Sequence, residues 1–384
     1  MKLQDGMSFS TRDKCAGRRT ATSIVGTVLL LLLTPTDAVW GRGKPTASPP
    51  PSPDIVYMML GGRSVNPSTE LRGLALSADG LSATDMSLVK GAFNRDPASI
   101  AWAPDGSRFA WLQNGSIMAA SPGKAPTVLY DPAAGIDRPK ADMGGDGLAW
   151  GPHCGGGTAL VFKSYQPYGV FLIRMDDAGV PSEPEPLLVI QQSGIVQGMA
   201  LSPKGRYLAV AGEGDAFPDS GVSLVPICGD HTPTLLASAS DLVGESGFMD
   251  IPSMDWSRQG ERLVISMTTS GDPGYPWRDL KVLDLAYSWN GSDESIAFAR
   301  VWRVDLDPVF GAASSEHSPQ WGPGNANDPC QRIAFSQSAG VSDGSDSNGR
   351  RLFLLDIGEG GLGGCGINAP LELSSKSPRA LDWK

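Results

Sequence analysis

The chain has 384 residues and a formal net charge of -10. That sign is opposite to the Lys- and Arg-rich surface that displaces counterions from phosphates, so no nucleic-acid partner is expected. Its 48 glycines and 31 prolines exceed average usage without a collagen-like period, which points to many short strands and turns, and its 3 histidines exclude a multi-histidine metal centre.

The first segment has the three parts of an export signal. Lys14, Arg18 and Arg19 precede an apolar run from Ile24 to Leu33, and small residues end at Ala38. The run is shorter than the roughly 20 apolar residues that span a bilayer, so residues 1–38 read as a cleaved signal, with a retained anchor as the alternative. The basic residues lie on its N-terminal side, which leaves the remainder outside the cytoplasm, periplasmic or secreted, with no stable membrane span once the signal is removed. Cys15 precedes the apolar run, where no lipid-acceptor cysteine sits. Residues 39–53 form a Pro-rich spacer that cannot pack a core, and the folded part starts near Asp54.

From Asp54 onward one phrase recurs. It reads "SIAWAPDGSRFAW" from Ser99, "GLAWGPHCGGGTALVF" from Gly147, "GMALSPKGRYLAV" from Gly198, "SMDWSRQGERLVI" from Ser253 and "SPQWGPGNANDPCQRIAF" from Ser318, and the truncated copy "RALDWK" follows Pro378. Each full copy is an alternating strand, a tight Pro/Gly turn and a second alternating strand, the sequence form of a β-hairpin. Two further strand-like runs follow each hairpin, and four strands make one blade of a β-propeller. The anchors Trp102, Trp150, Leu201, Trp256, Trp321 and Trp383 are predicted to pack between blades, with each ring N–H finding a partner.

We name the strands of a blade A to D from the inside outward. The segment after Asp54 supplies only B ("IVYMML"), C ("LRGLALSADG") and D ("LSATDMSLV"), and "RALDWK" supplies the missing A. The prediction is an all-β, six-bladed propeller with four antiparallel strands per blade, whose first blade is closed by the C-terminal strand. Its blades fall at about 54–90 plus 378–384, 98–131, 146–190, 196–238, 251–305 and 317–374. The Trp-Ser/Ala-Pro-Asp-Gly hairpin phrase, best formed in "IAWAPDGSRFAW", resembles the WD-like β-propeller repeat of the TolB-like family. The resemblance covers nearly the whole chain after the spacer but not the separate N-terminal domain of TolB. It therefore implies the fold without carrying over TolB's Pal-binding and envelope role.

The A–B and C–D turns fall on one face of such a ring, the B–C and D–A loops on the other. Cys154 and Cys330 lie in A–B turns, Cys228 and Cys365 in C–D turns, and four cysteines in an exported protein suggest disulfides. Cys330 and Cys365 share a blade and an edge and pair first; Cys154 with Cys228 follows by elimination. His153, Cys154, Cys228 and His231 also offer a zinc ligand set. Adjacent residues on extended chain point apart, and an oxidising compartment competes for the thiols, so neither a metal nor any other cofactor is expected.

No Gly-x-Ser-x-Gly elbow and no phosphate-cradling loop is present, so no catalytic residue is assigned. The run "SDGSDSNG" from Ser342 fails as a calcium loop, because Gly344 takes the place of its first carboxylate. The B–C and D–A loops hold Tyr165, Tyr168, Phe217, Phe248, Tyr275 and Trp277, together with Asp142, Asp146, Asp215, Asp219, Glu245, Asp250, Asp272 and Asp279. Aromatic side chains on loops of a rigid ring suit recognition of a protein or peptide partner of the envelope, bound by a monomeric, non-catalytic propeller. The alternative is an enzyme or a small-ligand (carbohydrate) binding protein that uses the loop carboxylates near the central channel.

Overall fold

The computed structural model describes residues 53–59, 70–77, 81–90, 99–135, 138–142, 146–191, 194–243, 250–268, 278–290, 293–310, 314–322, 331–339, 350–358, 361–362, 369–374 and 378–383. The signal segment, Phe248, Glu245, Asp272, Tyr275, Trp277, Cys330, Cys365 and the run after Ser342 lie outside them.

Six antiparallel sheets build the ring. Blade 2 runs Ile100–Trp102, Phe109–Gln113, Ser116–Ala120 and Thr127–Tyr130. Blade 3 runs Leu148–Pro152, Thr158–Gln166, Tyr168–Met175 and Glu185–Val189, and blade 4 runs Gly194–Leu201, Tyr207–Gly214, Gly221–Pro226 and Thr234–Ser238. Blade 5 runs Ser253–Trp256, Arg262–Thr268, Arg278–Asn290 and Asp293–Arg303, and blade 6 runs Ser314–Trp321, Gln331–Ala339, Arg351–Gly358 and Leu371–Ser374. Blade 1 takes strands B to D from Ile55–Met59, Glu70–Leu76 and Ala83–Lys90 and strand A from Pro378–Trp383. The register Ile55↔Trp383, Val56↔Asp382 and Tyr57↔Leu381 closes the ring. Two features go beyond the repeat: Lys140–Ala141 adds a short fifth strand to blade 3, and Gly361–Leu362 pairs with strand C of blade 6.

The hairpin phrase folds the same way in blades 2, 4 and 5. Ala103 N–H donates to the Arg108 carbonyl across the Asp105-Gly106 turn, and Ser202 to Tyr207 and Ser257 to Arg262 repeat the contact at 2.8 to 2.9 Å. Gly106 sits at φ 63° and the Asp105 carboxylate accepts the Ser107 N–H, so this pair forms the turn rather than a site.

The core is divided among the seams. Six clusters of buried apolar residues each join two adjacent blades. Strands B lie between neighbouring blades on both sides, so Leu208–Ala211 and Leu263–Ile265 are buried without alternation, whereas the outermost Thr127–Tyr130 is exposed at Thr127 and Val128 and buried only at Tyr130. Each anchor belongs to the cluster shared with the preceding blade, for example Trp102 with blade 1, Trp256 with blade 4 and Trp383 with blade 6. The seat for the anchor is a small residue. A Cβ at Gly322 would lie 2.7 Å from the Trp383 ring, and one at Gly151 would lie 2.6 Å from Leu201 Cδ2. The ring nitrogens differ from one another: Trp256 Nε1–H donates to the Ala200 carbonyl at 3.0 Å, whereas Trp321 and Trp383 Nε1 are buried with no partner among the described residues, contrary to the expectation of one partner each.

Candidate functional site: the channel and the B–C/D–A face

Side chains alternate along a strand, so a residue next to an anchor that faces a seam faces the channel instead. Ala101, Ala149, Ala200, Asp255, Gln320 and Asp382 occupy this position in blades 2, 3, 4, 5, 6 and 1, and all six line one axial cavity of about 70 Å³ together with Asp146. Asp255 and Asp382 also face a second cavity of about 290 Å³ on the A–B side, ringed by Trp102, Trp150, Trp256, Trp321 and Trp383. The two carboxylates therefore stand between the chambers.

Both carboxylates tie blades together. Asp382 accepts the backbone N–H of Trp102 in blade 2, and Asp255 accepts that of Trp321 in blade 6 at 2.7 Å. Asp146 precedes strand A of blade 3, and its Oδ2 has no hydrogen-bond partner among the described residues. Enclosure by protein pushes the Asp146 carboxyl up to about 7, with Lys163 and Arg278 opposing the shift and Asp382 adding to it. Asp382 is raised to about 7 by the same burial against the pull of its two backbone N–H donors. Burial, reinforced by the neighbouring Asp382, holds Asp255 well above the usual carboxylate range. The three side chains stay open to the cavity while protein surrounds them, so desolvation and mutual repulsion both apply.

The mouth on the B–C/D–A side mixes both signs. Lys163, almost fully buried, donates to the Gln197 carbonyl at 3.0 Å and lies 4.0 Å from Asp142. Burial lowers its pKa against the carboxylates of Asp142, Asp146 and Asp250. Arg278 pairs with Asp250 at 2.9 Å and contacts His317 Nδ1 at 3.0 Å. Of the acidic residues anticipated on this face, Asp142, Asp146 and Asp250 reach the channel mouth. Asp279 pairs with Arg303, and Asp215 and Asp219 are exposed in the B–C loop of blade 4.

The aromatic residues separate. Tyr165, at the B–C turn of blade 3, is 52 % exposed. Tyr168 is half-buried, and its hydroxyl accepts the Val196 N–H at 3.0 Å. Phe217 corrects its sequence assignment: it is buried in the seam between blades 3 and 4, because the loop turns back through the Phe217 N–H to Gly214 carbonyl contact. A groove of about 880 Å³ on this face runs between blades 2 and 3, lined by Asn114 and Ser116, by Arg138 and Lys140 of the D–A connection, and by Tyr165 and Gln166.

On the opposite face a disulfide joins Cys154 to Cys228 with a Cα–Cα distance of 6.4 Å. His153 completes a trio of ligand atoms within 4.8 Å of one another, but the bonded sulfurs carry no thiolate charge for a metal. His231 turns its Nδ1 to the Pro226 carbonyl at 2.8 Å, so the four residues do not assemble as a zinc site.

No family profile matches the sequence, and no curated protein matches it. Solved structures do. A candidate TolB from Agrobacterium tumefaciens is 16% identical with a TM-score of 0.47, covering 77% of this chain and 88% of that one. A protein of unknown function from Desulfotomaculum acetoxidans is 12% identical with a TM-score of 0.41, covering 84% of this chain and 90% of that one. Puromycin hydrolase is 16% identical with a TM-score of 0.43, covering 73% of this chain and 47% of the hydrolase. Binding proteins and enzymes both occur among such folds, so likeness at this level carries no inference about activity. The chain itself has the architecture of a propeller of six blades, and that statement rests on its own strand pairing.

Proposed function

We propose that this is an exported, non-catalytic propeller, monomeric in the periplasm or secreted space, that binds a protein partner through its B–C/D–A face. The observation that carries the reading is the groove of about 880 Å³ between blades 2 and 3, with Tyr165 standing exposed at its edge. That volume lies in the range of sites that enclose a ligand or a peptide segment, roughly 300–1,000 Å³. The export half of the reading is supported by the basic, apolar and small-residue order of residues 1–38, and no helix among the described residues is long and apolar enough to cross a membrane.

The alternative reading, an enzyme or carbohydrate-binding protein acting through channel carboxylates, has its carboxylates in Asp146, Asp255 and Asp382. Their cavity of about 70 Å³ admits a few water molecules and falls well short of a sugar-sized site. The test is capture from envelope extract by the chain lacking residues 1–38. The wild type should retain one partner that Tyr165→Ala and the double change Tyr275→Ala with Trp277→Ala each weaken. Undiminished capture by both variants sinks the face assignment.

A further inference from the structure

The disulfide between Cys154 and Cys228 has features that a purely structural staple does not require. Cys154 sits in the A–B turn of blade 3 and Cys228 in the C–D turn of blade 4, and both are exposed. The seam beneath them is closed without the bridge, by Val161, Leu172, Val196, Leu208, Val225 and Ile227. His153, itself buried, places Nε2 4.0 Å from Cys228 Sγ. Its other nitrogen, Nδ1, accepts the Gly155 N–H at 3.0 Å, which puts the proton of the neutral ring on Nε2, facing that sulfur. Burial and the nearby Arg174 both keep the ring neutral.

We propose that Cys154–Cys228 is a redox-active disulfide that exchanges electrons with a dithiol of an exported partner protein, with His153 as the positioning residue. The chemistry follows from which sulfur can carry charge. A partner thiolate attacks Cys154 Sγ, a mixed disulfide forms, and the electron pair of the broken bond goes to Cys228, which leaves as a thiolate stabilised by the His153 Nε2–H. The partner's second thiolate then attacks its own sulfur in the mixed disulfide and releases Cys154. Two electrons pass into the pair, two protons follow from the partner thiols, and the partner ends as a disulfide. This inference does not depend on the groove between blades 2 and 3.

The chain lacking residues 1–38 is equilibrated at pH 7 with a series of reduced and oxidised glutathione mixtures containing EDTA, then acid-quenched and alkylated, and the Cys154 and Cys228 peptides are read by mass spectrometry. The pair is expected to titrate within the glutathione range. His153→Leu, which removes the donor while keeping an apolar buried side chain, is expected to shift the midpoint about fivefold to tenfold toward higher [GSH]²/[GSSG], the equivalent of one hydrogen bond to a thiolate. In the reduced wild type, iodoacetamide should label Cys228 several times faster than Cys154, a readout that needs no variant. A pair that stays oxidised throughout the series, or equal labelling of the two sulfurs with an unmoved midpoint, overturns the proposal and leaves a structural staple.

Discussion

One repeat position has opposite chemistry on the two halves of the ring. Blades 2, 3 and 4 place Ala101, Ala149 and Ala200 at the channel, while blades 5, 6 and 1 place Asp255, Gln320 and Asp382 there. On the polar half, carboxylates bridge to the next blade through Trp321 and Trp102 N–H. On the methyl half no carboxylate bridges at that position; Ser99 accepts the Gly147 N–H at 2.6 Å, as Ser253 accepts the Ser318 N–H at 3.1 Å on the polar half, and the Cys154–Cys228 bond joins blades 3 and 4. The anchors pack alike around most of the ring, so the repeat fixes how blades stack and leaves the adjoining residue free to set what the channel contains.

The sharpest way to break this comparison is to move charge across the ring. Ala149→Asp places a further carboxylate in the cavity on the methyl half. With Asp146, Asp255 and Asp382 already crowding that cavity, desolvation and repulsion should cost about 3 kcal/mol or more, read as the midpoint of denaturant unfolding; a tolerated change would show the two halves to be equivalent. Next in size is Asp382→Ala, which strips the acceptor from the buried Trp102 N–H within the ring-closing strand. The expected loss is about 1–3 kcal/mol, with Asp382→Asn losing less because its amide oxygen still accepts.

A smaller effect concerns pH. Asp146 and Asp382 titrate near 7 in the fold against about 4 unfolded, so the folded state binds more protons between those values. Their contribution to stability is complete below pH 4 and lost as pH rises through 7. Between pH 5 and pH 8 the melting temperature should fall, and Asp146→Asn should flatten that slope by an amount on the order of 1 kcal/mol. Least of all, Tyr165→Ala should leave the melting temperature within the scatter of surface changes, about 0.5 kcal/mol, while weakening partner capture.

The ring was legible because it is written in alternation. The Trp phrase marks strand A, the Pro/Gly turn marks its end, and "RALDWK" supplies the strand that the segment after Asp54 lacks. The same alternation contained the channel lining, since the residue before each anchor must face away from the seam, and Asp255 and Asp382 stand there in plain view. A carboxylate inside a repeated strand occupies an ordinary alternate position, and only the closed ring turns that position toward a shared cavity. Phe217 was harder to read. Whether an aromatic residue in a loop points out or folds back depends on space left for its ring, and Gly212, in the strand Tyr207–Gly214 that leads into the loop, leaves that space because a Cβ there would overlap the Phe217 ring. Lys163 gave no local sign of burial, because its partners, the carbonyls of Val196 and Gln197, come from the neighbouring blade.

The strand Pro378–Trp383 also has a consequence in time. Its Asp382 meets Trp102 across 280 positions of sequence, a contact that no earlier part of the chain can make. Until that strand emerges, Ile55 and Tyr57 have a vacant edge, and the seam between blades 6 and 1, which takes Leu381 and Trp383 from it, stays unsealed. Ordering so remote a contact is slow compared with forming the local hairpins, so the intermediate blades can assemble as an open arc well before the circle locks. The ring therefore stays pliable through most of its assembly, and one strand sets the moment at which it becomes rigid.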